Sequence, residues 1–228
     1  MYNAYGSPFY LSNGTTNLHL DVSDAANLIV YVGVPKDVNN LDEYTKKAFD
    51  AIKEADCDAI SIDRISKNGD IPGAIWHIFE AADSNKIREF LMKIAEEEGK
   101  KIQSKHDPIH DQNWYLDGKL RKRLYVEHGV IGYAIVQCLG DAIFVPAGAP
   151  HQVRNIYSCI KVAEDFVSPE NISHCLHLSN EFRNLTKTHT NNEDKLQIKS
   201  IIYHSVKEMI LLLDRKITKV MKSAWSNK

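Results

Sequence analysis

Residues 140–155 read Gly-Asp-Ala-Ile-Phe-Val-Pro-Ala-Gly-Ala-Pro-His-Gln-Val-Arg-Asn, and this stretch decides the fold. A turn glycine, Gly140, leads into an apolar strand from Ala142 to Val145. Pro146 and Gly148 then make a tight corner, since proline fixes φ and glycine accepts backbone angles that other residues avoid. The corner delivers His151 onto the next strand, pointing inward. Far upstream, after the turn signal Asn13-Gly14, Leu18, Leu20 and Val22 alternate with polar residues. That alternation predicts a half-buried strand with His19 and Asp21 on one face. Two imidazoles and a carboxylate with open positions opposite suit Fe(II), and the absence of cysteine ligands argues against structural zinc. His19, Asp21 and His151 are therefore the predicted metal ligands and catalytic centre.

The spacing G-x5-P-x-G-x2-H-x3-N across 140–155 is similar to the second signature of the cupin superfamily, with Asp21 standing where many cupins have a second histidine. The resemblance implies a mainly β fold with flanking helices, a double-stranded β-helix of jelly-roll type. Further strands are predicted at 28–34, 74–80, 133–137 and 157–166. Ser84 opens a helix with Ile87, Phe90, Leu91 and Ile94 on one stripe, ending near Gly99. A basic helix is predicted at 117–127, and another after Ser168-Pro169-Glu170. A long one at 193–221 carries an apolar stripe through Leu196, Ile201, Val206, Met209, Leu213, Ile217 and Val220. Residues 37–72, rich in Asp, Asn and Lys, read as an inserted, partly helical excursion, and 100–113 as a polar loop. The expected organisation is a barrel over 1–167, with 37–72 as a variable insertion. A C-terminal helical extension over 168–228 packs on the barrel's outside, or on a second copy or partner.

The 228 residues are 43% apolar and 25% charged with a formal charge of −2, so no strong field selects nucleic acid or an anionic membrane. Arg121-Lys122-Arg123 reads as a solvated helix face. Cys57, Cys138, Cys159 and Cys175 are scattered, which fits a reduced interior rather than a disulfide framework. No apolar run approaches the roughly 20 residues of a membrane span, and the first residues lack signal-peptide character. A soluble intracellular protein is expected.

On such a centre 2-oxoglutarate would chelate the iron beside O₂, and its far carboxylate needs a cation and a hydroxyl. Lys161 is the leading cation. Its same-face neighbours Cys159, Ala163 and Asp165 are small or polar, whereas Ile160, Val162 and Phe166 opposite read as core. Thr16 supplies the hydroxyl only if a bulge reverses strand parity between it and His19. Asn27, Tyr31 and Asn155 are further candidates for hydrogen bonds to the cosubstrate. His106-x3-His110, flanked by Asp107 and Asp111, reads as a loop network, and His77, His174, His177 and His204 as structural.

Residues 14–27, 106–116, 146–153 and 158–170 resemble the Jumonji-C (JmjC) histone demethylases, the lysine demethylase 3 subfamily above all. The resemblance implies Fe(II)- and 2-oxoglutarate-dependent removal of methyl groups from mono- and dimethylated lysine 9 of histone H3, by N-methyl hydroxylation and formaldehyde release. It implies a nuclear protein that meets the methylated histone H3 tail, chromatin and transcription factors, and a second copy, with no membrane. Tyr5, Tyr31 and Asp24 are candidates to meet the methyl-ammonium group. Many JmjC enzymes place a lysine just after the second strand, before an aromatic pair. Here Ala74 precedes Ile75-Trp76 and Lys36 falls to the excursion, which moves the anchor to Lys161 and Thr16. Family members also carry an upstream cysteine-rich zinc module that these residues lack, so a catalytic-domain segment is expected. Side-chain hydroxylation on the same site, or a non-catalytic chromatin scaffold, are the competing expectations.

Overall fold

The computed structural model describes residues 1–9, 13–35, 41–100, 106–185 and 195–226. Two four-stranded antiparallel sheets face each other. One runs β1 (Tyr2–Ala4), β8 (Ser158–Phe166), β3 (Asp24–Gly33), β6 (Ala142–Val145). The other runs β2 (Thr16–His19), β7 (His151–Asn155), β4 (Pro72–Ile78), β5 (Tyr133–Cys138). This is the expected double-stranded β-helix. Ala25, Trp76, Ile78, Ile143, Val145 and Val153 meet between the sheets in one buried cluster.

Two of the helices pack beside the second sheet. Ser84–Glu97 (α3) buries Ile87, Phe90, Leu91 and Ile94, the predicted stripe, against Leu18, Leu20 and Phe79. Gly118–His128 (α4) is capped by Asp117, whose carboxylate accepts from Leu120 N at 2.9 Å, and ends at Gly129 with φ 66°. Its basic run is less solvated than expected. Arg121 donates to the carbonyls of Leu116 and Glu54, and Arg123 grips Glu97 and Glu127.

The excursion is helical, as expected, but its described part is not a polar appendage. Leu41–Glu54 (α1) and Ala59–Asn68 (α2) are core elements. Ala48, Ala51, Ile52, Ala55 and Ile65 pack against Ile29, Val32, Ile75 and Val136. The apolar face of α1 is built largely from alanines, whose weak hydrophobic signal hides it among lysines and aspartates. Arg64 of α2 also forks onto Asp141 at 3.0 and 3.1 Å, holding the β5–β6 turn. Lys36 lies outside the described residues.

Ile172–Arg183 (α5) buries Cys175, Leu178 and Phe182. Ile198–Ser226 (α6) begins with Ile198 buried against Ala147 and Cys175. From Tyr203 onward the stripe is present but uncovered: Val206, Met209, Ile210, Leu213 and Ile217 are exposed among the described residues. The expected packing of this helix on the barrel ends at its first turn. Residues 193 and 194, expected to open it, lie outside the described set. No helix of the described residues is long and apolar enough to cross a membrane, and the four cysteines are free and buried.

Candidate metal centre

β2 ends on His19 and β7 begins on His151, and the two are direct register partners. Asp21 is not on the strand, as alternation suggested, but in the turn just past its end. The buried Leu20 pins that turn into the core under α3. One ligand atom from each of His19, Asp21 and His151 lies within 4.8 Å of the others. His19 Nε2 is 3.7 Å and His151 Nε2 3.4 Å from the two oxygens of Asp21.

Each imidazole is held by its other nitrogen. His19 Nδ1 lies 2.8 Å from Asn17 O, and His151 Nδ1 lies 3.0 Å from Ala149 O. A carbonyl can only accept, so each Nδ1 carries the proton and each Nε2 presents a lone pair to the shared point. Burial, and then the neighbouring His19, hold the His151 pKa below the usual imidazole range, so it stays neutral as a ligand must. His151 is almost wholly buried, whereas the Asp21 side chain is 36% exposed. The centre is walled on the imidazole side and open on the carboxylate side. This donor set, with locked tautomers, fits a divalent first-row metal.

The corner before His151 is wired throughout. Gly148 takes φ 80°. Gly148 N donates to Asp21 O at 3.3 Å, Ala149 N to Pro146 O at 3.1 Å, and Phe79 N to Pro150 O at 2.8 Å. Asp24, a candidate for the methyl-ammonium, is instead buried and fully engaged. It accepts from Ala147 N at 2.9 Å, Ser168 N at 2.8 Å, Ser168 Oγ at 2.7 Å and Asn171 Nδ2 at 2.6 Å. Such a carboxylate has no capacity left for a substrate cation.

Lys161 is 1% exposed. Its Nζ donates to Asn155 Oδ1 at 3.0 Å and sits 5.1 Å from the centroid of the Trp76 ring. Burial pushes its pKa down to about 8. No carboxylate pairs with it among the described residues, and a buried cation without a counter-ion suits an anionic ligand. The same Trp76 ring stacks near His151, centroids 6.0 Å apart and 21° between planes. One indole therefore touches both the metal end and the cation end of the cup.

The bulge that Thr16 requires is present. Thr16 pairs with Val153 and His19 with His151, three residues against two. Thr16 thereby joins the face of His19, His151 and Asn155. Asn27 lies on the interior face of β3, where its carbonyl accepts from Gln137 Nε2 at 2.8 Å. Tyr31 is not brought there: a second bulge between Ile29 and Tyr31 turns it to the outside, 55% exposed. Tyr5 is exposed as well. His106 meets Asp111, and His110 meets Glu181, in the expected loop network.

Sequence reasoning missed Trp76 and Gln137. Trp76 Nε1 donates to Gln137 Oε1 at 2.9 Å, which links β4 to β5 and, through Gln137, to β3. Alternation along 74–78 was the available signal, since it puts Ala74, Trp76 and Ile78 on one face.

A model of the JmjC domain, described as a hydroxylase, matches residues 68–166. That span holds His151 and Lys161, while His19 and Asp21 precede it. The chain is 58% identical to lysine-specific demethylase 3 of Drosophila melanogaster over 95% of its own length and 25% of the relative's. It is 56% identical to lysine-specific demethylase 3A of Rattus norvegicus over its full length and 18% of the relative's. Lysine-specific demethylase 3A of Homo sapiens is 59% identical over 93% of this chain and 16% of its own. The chain thus spans a quarter or less of the length of these relatives.

Proposed function

The chain belongs to the JmjC-domain proteins, and from that premise we propose that it is an Fe(II)- and 2-oxoglutarate-dependent histone lysine demethylase. The observation that carries the reading is the convergence of His19, Asp21 and His151 within 4.8 Å, with both imidazoles fixed in the ligating tautomer. When bound, iron and 2-oxoglutarate supply, with O₂, the oxidation that hydroxylates an N-methyl carbon, which leaves as formaldehyde.

The chain's own residues set the stage for that chemistry. His19, Asp21 and His151 hold the metal. Lys161, steadied by Asn155, takes the far carboxylate of 2-oxoglutarate, with the Thr16 hydroxyl on the same face as the ligands. A charge-assisted bond of this kind contributes about 1.5–3 kcal/mol. Trp76 fills the space between the two ends and keeps bulk water from both.

The relatives named as lysine-specific demethylases support a methylated lysine as the substrate, and a histone tail is proposed to carry it. Mono- and dimethylated lysine 9 of histone H3 is the proposed target, and the nucleus, with chromatin and transcription factors as partners, the proposed setting. The barrel over 1–167 is the proposed catalytic unit and 168–228 its helical extension. A second copy is proposed to cover α6, because an isolated helix with one exposed apolar face is marginal in water. Light scattering reads this: a monomer at micromolar concentration sinks the pairing. For activity, a panel of methylated histone peptides is incubated with Fe(II) and 2-oxoglutarate. Formaldehyde and a shortened methyl state are expected. A stable product heavier by one oxygen atom points to side-chain hydroxylation, and no turnover of 2-oxoglutarate points to a scaffold.

A further inference from the structure

The corner Pro146 to Pro150 has three backbone N–H groups, because both prolines lack one. Ala149 N turns back onto Pro146 O within the corner. The other two leave it, and both go to the segment that carries His19 and Asp21: Gly148 N to Asp21 O, and Ala147 N to Asp24 Oδ1. Asp24 is 2% exposed, so its carboxylate would be costly to bury without partners. Burial alone pushes its pKa up. The bonds from Ser168, Ala147 and Asn171 outweigh that and hold the carboxyl below its usual range. The same carboxylate therefore ties three segments: the start of β3, the corner four residues before His151, and the lead into α5 at Ser168 and Asn171.

We propose that Asp24 is a positioning residue of the metal centre, setting where His151 stands relative to Asp21 and linking that position to the seat of α5. The inference rests on the metal reading of His19, Asp21 and His151. No neutral side chain of the same shape can do this work. Asparagine in place of Asp24 keeps one acceptor oxygen, but it turns an N–H₂ toward donors, either Ser168 N or Ala147 N. Asp24's tie between the corner and the lead into α5 then loses one of its two ends, while the three ligands themselves are untouched.

Co(II) titration of the full chain under anaerobic conditions tests this, with affinity and the visible ligand-field spectrum as readouts and the melting temperature of the metal-free protein as the control. For Asp24→Asn the expected result is Co(II) binding weakened about tenfold or more, the scale of outer partners of metal ligands, with an altered spectrum. The double variant Ser168→Ala/Asn171→Ala removes the two side-chain donors on the α5 side and leaves the backbone bonds from Ala147 N and Ser168 N in place. It is expected to fold and to weaken Co(II) by a few fold, which keeps the test decisive if Asp24→Asn does not fold. Wild-type affinity and spectrum in the folded variants overturn the proposal. If wild type itself binds no Co(II), or binds no better than His151→Ala, the metal reading fails and the positioning role with it.

Discussion

At the corner that carries His151, each backbone N–H has its acceptor, and the three ligands converge on one point. At Lys161, on the same barrel interior, a buried cation meets an amide oxygen and the face of an indole, and its pKa has fallen to about 8. The two regions share Trp76. The difference teaches that the metal end is held by internal hydrogen bonds, whereas the cation end buries a charge with no carboxylate beside it among the described residues, which an incoming dianion relieves. Substitutions at the first should therefore remove function with little gain in stability, and substitutions at the second should trade function for stability.

The largest effect expected is from His151→Ala, which removes one of three metal ligands. Fe(II) affinity is expected to fall more than about a hundredfold, beyond the range for outer partners, and 2-oxoglutarate turnover to vanish. Metal-dependent turnover near wild type would break the comparison at its first term.

Lys161→Met comes next and tests the trade. Binding of 2-oxoglutarate, read by calorimetry on Mn(II)- or Fe(II)-loaded protein, should weaken about 10- to 100-fold through loss of a charge-assisted bond. The ligand-free protein should instead melt a few degrees higher, since a kilocalorie shifts a chain of this size by about 2–4 °C and an uncompensated buried charge is gone. A lower melting temperature would mean that the lysine is already compensated.

The third is a pH profile. In the ligand-free fold Lys161 titrates near pH 8, while the unfolded chain keeps the proton to about 10.5. Between these values the unfolded state binds more protons, so stability contributed by this group rises as pH climbs from 8 to 10.5. Affinity for 2-oxoglutarate runs the other way. It is flat below pH 8 and weakens about tenfold per unit above it, because the dianion needs the ammonium form. A profile flat to pH 10 would sink the assignment of Lys161 to the far carboxylate.

The smallest effect is expected at Trp76→Phe. A flat ring still lies beside His151 and under Lys161, but the Nε1 bond to Gln137 is lost. Leaving that buried acceptor unpaired costs about 1–3 kcal/mol of stability, and activity should fall only a few fold. A loss as large as that of His151→Ala would give the indole a direct part in the chemistry.

Much of this was readable from residue order. The proline–glycine corner and the strands on either side follow from local rules of proline, glycine and alternation, whereas the three ligands needed the His-x-Asp pair together with the likeness of 140–155 to a cupin signature, and Asp21 lies past the strand that alternation gave it. Lys161 is singled out by the contrast between its two faces, but the face expected to be core is the outer one: Ile160 and Val162 are half-buried and Phe166 is 43% exposed. Three things did not follow, each for a physical reason. The face of α1 is written in alanines, which bury well but carry a faint apolar signal. The bulges at Thr16–His19 and Ile29–Tyr31 arise from pairing between strands distant in sequence, so local alternation misplaces Tyr31 and excludes Thr16. Asp24 looks like any acidic residue near a turn, and only its four donors, three of them more than 140 positions away, reveal its role.

The pairing of β2 with β7 has a consequence for biosynthesis. Thr15 and Val153 bond across 138 positions, and Tyr2 lies opposite Lys161. At elongation rates of about 5–20 residues per second, His19 and Asp21 emerge on the order of ten seconds before their partner histidine exists. No iron can be captured cotranslationally by the full set until the later strands have left the ribosome. Loading is thus tied to completion of the barrel, and a truncated nascent chain offers the cell only a weak two-point ligand.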